Sequence, residues 1–158
     1  MRELGHTVAM DFSYHTTPDR TKLMVLHFID EASKYHTAKI IREGRVNNYS
    51  DLGNCDAADL IAAIAEWARY MQHPHCFHVD EEGCFHSEQF NEYCGLNTVY
   101  IKMAAGEAHW QHGIVERHIG TFRELVSKLL LEDMFEGTDY QSVVDHVAEA
   151  KIAMEPAT

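Results

Sequence analysis

The chain has 158 residues, of which 46% are hydrophobic and 24% are charged. This balance is typical of one globular domain and is too apolar for a disordered protein. Thirteen basic residues stand against 25 acidic ones, so the formal net charge is −12. Such a chain repels nucleic acid unless a local basic patch or a metal ion intervenes. The twelve histidines make the net charge sensitive to mild acid.

Cysteine usage and hydropathy indicate the compartment. The longest apolar run, LIAAIA at 60–65, is far shorter than a membrane span, and the N-terminus lacks the apolar core of a signal peptide. No C-x-x-C pair occurs among the four cysteines, which are Cys55, Cys76, Cys84 and Cys94. Free thiols in a reducing compartment are therefore favoured over disulfides. We expect an intracellular protein that does not bind membranes.

The first part of the chain predicts three antiparallel strands. TVAMDFSY at 7–14 and LMVLHFID at 23–30 flank a turn, and KYHTAKII at 34–41 continues the meander. The next four elements are a helix at 57–71 capped by Asp56, a strand at 76–80, a small helix at 88–94 capped by Ser87 and ended by Gly95, and a strand at 97–103.

The last third of the chain predicts a loop and two helices. AAGEAHWQHG at 104–113 contains two glycines and predicts a loop, and the longest helix follows at 114–135. Its predicted core stripe is Val115, Ile119, Phe122, Val126 and Leu129. Thr138 and Gln141 have the spacing of a capping box for a final helix that carries Val143, Val144 and Val147.

Three carboxylates have positions that could bring them together. Asp11 lies in the middle of the first strand and Asp80 ends the fourth, so a sheet that pairs these strands places both side by side. Glu116 borders the apolar stripe of the long helix, on the same edge as Arg123. A polar edge is usually only a solvated face, so the meaning of Glu116 depends on the two aspartates.

Thirty-five residues separate Asp80 from Glu116, and with this spacing the chain resembles the catalytic cores of retroviral and retrotransposon integrases, the D,D-35-E family. VAMDFSY, VDEEGCFHSEQF and GEAHWQHGIVER resemble the three segments that carry the acidic residues, and the chain looks closest to long-terminal-repeat retrotransposon integrases. The resemblance implies an α/β, ribonuclease-H-like fold, with a five-stranded mixed sheet flanked by helices. Residues 1–158 would form one catalytic core domain within a longer protein.

The resemblance also implies a reaction. Asp11, Asp80 and Glu116 map onto an acidic triad that holds Mg²⁺ or Mn²⁺, with two ions expected when DNA is bound. Hard divalent cations prefer carboxylate oxygens, and two ions about 4 Å apart need the negative charge that carboxylates supply. The implied activity is that of a metal-dependent polynucleotidyl transferase that trims the DNA ends of a retroelement and joins them to target DNA. Further copies of the chain, in a homodimer or higher oligomer, and a nuclear or virus-like-particle location are implied as well.

The chain departs from the family on the proposed DNA-binding side. It has His112 where the family often has Asn or Gln. It has Ile119 and Gly120 where the family often has Asn and then a basic residue. The candidate DNA contacts are then His112, Arg117, Arg123 and Lys128.

The sequence is also compatible with other functions. The same fold could serve another two-metal nuclease, or a catalytically decayed module that binds a partner, because fold alone does not determine function. A zinc-binding module is a further alternative, with ligands drawn from His73, His75, Cys76, His78, Cys84 and His86, although their spacing does not form convincing ligand pairs.

Overall fold

The computed structural model describes the backbone of residues 6–80, 83–103, 109–130 and 140–154. In the last two segments, side chains are described for residues 117–126, 128, 140–145, 147 and 148. Five strands form one sheet in the order β3-β2-β1-β4-β5. Their bounds are β1 Thr7–Thr16, β2 Lys22–Asp30, β3 His36–Gly44, β4 Cys76–Val79 and β5 Tyr100–Met103.

Four helices accompany the sheet in the described residues: α1 Ala57–Met71, α2 Glu88–Leu96, α3 His109–Leu130 and α4 Tyr140–Met154. Two single-turn 3-10 helices, Tyr49–Leu52 and Gly83–His86, precede α1 and α2 respectively. None of the described helices is both long and apolar enough to cross a membrane.

The sheet is mixed, as the sequence predicts. β1, β2 and β3 pair antiparallel, whereas β4 pairs parallel to β1 and β5 pairs parallel to β4. The predicted α1 is confirmed, and the Asp56 side chain accepts a hydrogen bond from the Asp59 amide at 2.8 Å, which satisfies one unpaired donor of the first turn. β5 is shorter than predicted because Asn97 and Thr98 form a turn instead, with Thr98 at φ 57°.

Helices cover both faces of the sheet, and alternation along β1 decides which side chain meets which layer. On one face Val8, Met10 and Phe77 join a core with α1 and α2. On the other face, β2 and β3 side chains pack against α3 and α4. The buried residues of α3 and α4 in this second layer are Ile119, Phe122, Val126, Val143, Val144, Val147 and Ala148, which confirms the described part of the predicted stripes. The side chains of Val115 and Leu129 lie outside the described residues.

The amide side chain of Gln141 connects α4 to the edge strand β3 by two hydrogen bonds. Gln141 accepts a hydrogen bond from the Ile40 amide at 2.8 Å and donates to the Ala38 carbonyl at 3.0 Å. These bonds satisfy backbone groups that an edge strand would otherwise leave without partners. The predicted capping role of Gln141 toward Thr138 is not tested, because Thr138 lies outside the described residues.

Two predicted helix boundaries are wrong. α2 continues through Gly95, its predicted end, to Leu96. The sequence predicts a loop that extends to Gly113, but α3 already begins at His109, so residues 109–113 are helical. An internal glycine costs a helix about 1 kcal/mol, and cooperative propagation from twenty other residues outweighs that cost. Residues 104–108, including Gly106, lie outside the described residues.

Candidate active site

Two of the predicted carboxylates belong to neighbouring segments of the chain. β1 pairs parallel to β4, and the last pair in register is Ala9 with His78. Asp11 lies two residues farther along β1, whereas Asp80 follows Val79, the last residue of β4, so β4 ends one residue earlier than predicted. Both aspartates are half-buried, and the Asp11 carboxylate accepts a hydrogen bond from the Phe12 amide at 2.8 Å. The β1–β4 pairing therefore brings together the segments that carry Asp11 and Asp80.

Alternation shows which face of the sheet carries Asp11. Ala9 packs with Ile29 and with Ile119 of α3, so its side chain lies on the α3 face of the sheet. Asp11, two residues later in β1, lies on that face too. Asp80 follows the end of β4, so strand alternation assigns a face to Asp11 alone.

α3 crosses the sheet obliquely. Ile119 packs on β1 and β2, whereas Phe122 and Val126, later in the helix, pack among residues of β2 and β3. Toward its N-terminus, the axis of α3 runs from β3 toward β1. The turn that contains Glu116 directly precedes Ile119. The side chains of Glu116 and His112 lie outside the described residues. Their roles stay predictions, and His112 belongs to α3 rather than to a loop.

A buried, hydrogen-bonded pair of side chains, His78 and Glu31, lies close to Asp80 in the chain. His78 Nδ1 and the Glu31 carboxylate are 2.7 Å apart, with side-chain exposures of only 5% and 15%. The other ring nitrogen of His78, Nε2, is buried without a hydrogen-bond partner among the described residues. This hydrogen bond links β4 to the residue that follows β2. It therefore restrains β4 two residues before Asp80.

A chain of polar side chains runs between the sheet and α3. The Ser13 hydroxyl lies 2.8 Å from His15 Nε2 and 2.5 Å from His27 Nε2, and His27 Nδ1 lies 2.8 Å from His36 Nε2. All four residues are buried. The Phe122 ring packs against the three imidazoles, with centroid separations of 4.7–5.8 Å. His27 of β2 is the register partner of Asp11 in β1. The chain of hydrogen-bonded side chains therefore extends to the β2 position directly opposite Asp11.

Burial, together with the smaller effect of the nearby positive charge of Arg123, lowers the pKa of His15 to about 4. His15 is therefore neutral at pH 7. A neutral imidazole carries one donor and one acceptor nitrogen, and this suits a chain of hydrogen bonds inside a core. Apart from the alternation of Asp11, Ser13 and His15 along β1, no periodic pattern in the sequence predicts this chain of hydrogen bonds.

The described basic residues of α3 do not form a single patch. Arg117, Arg123 and Lys128 are all exposed. At about 100° per residue, Arg117 and Lys128 fall on nearly the same line along the helix, opposite its buried stripe, and Arg123 lies on an edge of that stripe. Arg117 and Lys128 are three turns apart, a separation of about 16 Å.

The aspartate pair fits a hard divalent cation in chemistry. Carboxylate oxygens are the ligands that such cations prefer. Among the residues whose side chains are described, no three His, Cys, Asp or Glu residues form a group that could hold a metal ion. Glu116, the predicted third ligand, has a side chain outside the described residues.

The histidine-rich segment around β4 gives no support to the zinc-binding alternative. His73 bonds to the Tyr93 hydroxyl at 2.6 Å, and His78 bonds to Glu31. No ligand group for zinc occurs in the described part of this segment. The residues that sequence reasoning missed are instead Glu31, His27 and Ser13, whose partners are distant in the chain and were visible only once the strand register was known.

No protein-family model matches the sequence, and no curated protein resembles it significantly. Several solved structures are similar to this chain. The HTLV-2 integrase catalytic core domain, in a dimeric form with magnesium, has a TM-score of 0.71 and 16% identity, over 92% of this chain and 84% of that one. The BIV integrase catalytic core domain has a TM-score of 0.67 and 12% identity, over 98% and 87%.

A chain of the simian T-cell lymphotropic virus intasome, in complex with a PP2A regulatory subunit, gives a TM-score of 0.72 and 14% identity, over all of this chain and 52% of that one. At these identities the similarity establishes the fold. The chain has the ribonuclease-H-like fold of retroviral integrase catalytic cores, as the sequence resemblance implied.

Proposed function

We propose that this chain is the catalytic core of a metal-dependent polynucleotidyl transferase that trims retroelement DNA ends and joins them to target DNA. The observation that supports the proposal most directly is the parallel pairing of β1, which carries Asp11, with β4, which ends one residue before Asp80. In an integrase-like fold, this is an arrangement that phosphoryl transfer can use. The spacing of Glu116 supports it as the third carboxylate.

Asp11, Asp80 and Glu116 would hold Mg²⁺ or Mn²⁺, with two ions when DNA is bound. When bound, the ions supply charge stabilisation at phosphorus and a lower pKa for the attacking oxygen. The protein's own contribution is alignment. The Phe12 amide orients the Asp11 carboxylate, and the His78–Glu31 pair restrains the strand behind Asp80. In-line attack, first by water and then by the freed 3′-hydroxyl, requires such fixed geometry.

DNA would approach along the outer side of α3. Arg117 and Lys128 lie on one line of the exposed helix surface, where each could contact a phosphate. We include His112 and Arg123 as further candidate contacts. With a net charge of −12, the domain would depend on these local cations and on bound metal to attract DNA. Additional copies of the chain, suggested by the dimeric neighbour, would enlarge the binding surface.

The reaction is tested by Glu116→Gln, which keeps the shape of the side chain and removes its charge. End trimming and strand transfer should each fall about 10³-fold in Mg²⁺, which corresponds to about 4 kcal/mol of activation free energy. The measurement is the rate on short labelled duplexes. The matched control is Glu124→Gln, an exposed carboxylate on the same helix, which should leave both rates unchanged.

The products distinguish the alternatives. Trimming without joining would identify another nuclease of this fold. A parent protein that does neither in Mg²⁺ or Mn²⁺ but still binds DNA would identify a decayed module. Joining at the parent rate by Glu116→Gln would remove Glu116 from the mechanism.

A further inference from the structure

Two cysteines lie on the face of the sheet opposite the candidate active site. A cavity of about 470 Å³ opens there between β1, the start of α1 and the 3-10 helix Gly83–His86. Cys55 and Cys84 both line it, together with Phe12 and Tyr14 of β1. Cys55 belongs to the core beneath α1, and Cys84 packs against that core from the other side of the cavity.

The two thiols interact directly. A hydrogen bond with Cys84 raises the pKa of the Cys55 thiol, and burial raises it further. Cys55 is only 9% exposed, whereas Cys84 is half-buried at the cavity wall. Both thiols therefore line the cavity within hydrogen-bonding reach of each other, and Cys84 is the more exposed of the two to a small molecule that enters.

We propose that Cys55 and Cys84 are a reversible dithiol–disulfide site that reacts with low-molecular-weight disulfides. The Cys84 sulfur attacks one sulfur of the small disulfide, and a mixed disulfide forms while one small thiol leaves with the proton that Cys84 lost. The Cys55 sulfur then attacks the Cys84 sulfur, loses its proton and releases the second small thiol. The two protein thiols are oxidised, and one small disulfide is reduced to two thiols.

The position of the site gives the bond a structural consequence. Cys55 directly precedes Asp56, the N-cap of α1, and Cys84 lies four residues after Asp80. Phe12, which lines the same cavity, follows Asp11 in β1. A Cys55–Cys84 bond would therefore tie the chain just after Asp80 to the start of α1, behind both aspartates.

The other two cysteines provide controls. Cys94 is 1% exposed and is not among the residues that line the cavity, so it should not react with a small disulfide. Cys76 is half-buried, as Cys84 is, but lies in β4, where its thiol bonds to the Phe77 carbonyl at 3.6 Å. A Cys76→Ser variant should form the Cys55–Cys84 bond as the parent does.

The test is incubation of the folded chain with hydroxyethyl disulfide, followed by mass spectrometry of the intact protein and of its peptides. The parent should lose two hydrogen atoms and yield a linked Cys55–Cys84 peptide pair, and dithiothreitol should reverse both changes. This linkage should form at least about tenfold faster than any adduct on Cys76, because the neighbouring thiol acts at high effective concentration.

The variants check the order of the steps. Cys55→Ser, or Cys55→Ala if the first folds poorly by circular dichroism, should stop at a mixed disulfide on Cys84. Cys84→Ser should leave Cys55 unmodified. A parent protein that carries adducts without the linked peptide, or that links another pair first, would overturn the proposal. Because no DNA or metal is involved, this result does not depend on the proposed enzymatic function.

Discussion

At the residue scale, sequence reasoning located Asp11 and Asp80 but not what surrounds them. Their positions followed from alternation and from the end of a predicted strand, both of which are local. The His78–Glu31 pair and the chain from His15 to His36 depend on the pairing of β1 with β2 and β4. Such partners are distant in sequence, so no residue spacing within a single strand or helix predicts them.

Buried His15 predicts a pH-dependent stability. Its pKa is about 4 in the folded protein and near 6.5 when unfolded, so the unfolded state binds more protons between these values. The stabilisation is complete above about pH 6.5 and is lost as the pH falls toward 4, to a total of about 3 kcal/mol. Urea unfolding of the parent and of His15→Gln across pH 4–7.5 measures it.

His15→Gln should show a shallower fall in the free energy of unfolding with acidification than the parent. The exposed His86 is the matched control, and His86→Gln should follow the parent curve. If His15→Gln loses stability with the same slope as the parent, His15 is not a source of the acid sensitivity.

At the element scale, sequence patterns predicted the identity of every described strand and α-helix, but several boundaries differ, among them the starts of β5 and α3. The error at Gly113 arose because a glycine was given more weight than the cooperativity of a long helix. Ile119, a departure from the family, has a structural explanation, because it packs on Ala9 and Ile29 and closes the core above β1. A polar residue there would lose that contact.

Gly120 has no comparable steric explanation. A Cβ atom at this position would meet nothing within 4 Å, so Gly120→Ala should raise the free energy of unfolding by up to about 1 kcal/mol through helix propensity. Thermal and urea unfolding check this. Ser142→Ala, at an exposed position of α4, is the comparison for a small change in propensity. Destabilisation by Gly120→Ala would show that α3 needs a glycine at 120.

At the scale of the whole molecule, the sheet order and helix layers were predictable, because the resemblance supplied a topology that hydrophobic periodicity alone does not. The grooves on the molecular surface were not predictable from the sequence. A groove of about 190 Å³ runs between α1, β3 and α4, lined in part by Trp67, Tyr70 and Ala38. Trp67 stacks on Phe28 at 4.8 Å, and Tyr70 is 82% exposed beside it.

We expect this groove to be a contact between copies of the chain, since exposed aromatics beside apolar grooves are enriched at interfaces. Tyr70→Glu should shift the sedimentation equilibrium toward monomer by at least about tenfold in dissociation constant, through burial of an unpaired charge. Tyr100→Glu, at a similarly exposed tyrosine of β5, should not. An unchanged constant for Tyr70→Glu would place any self-association elsewhere.

The central claim is that Asp11 and Asp80 jointly bind a catalytic divalent ion. The most direct measurement is anomalous diffraction from crystals of the chain soaked in Mn²⁺. We predict a peak within coordination distance, about 2.2 Å, of carboxylate oxygens from both aspartates, and its disappearance in Asp80→Asn. Strong manganese peaks elsewhere with none between Asp11 and Asp80, in crystals whose lattice leaves this edge of the sheet open, would contradict the account.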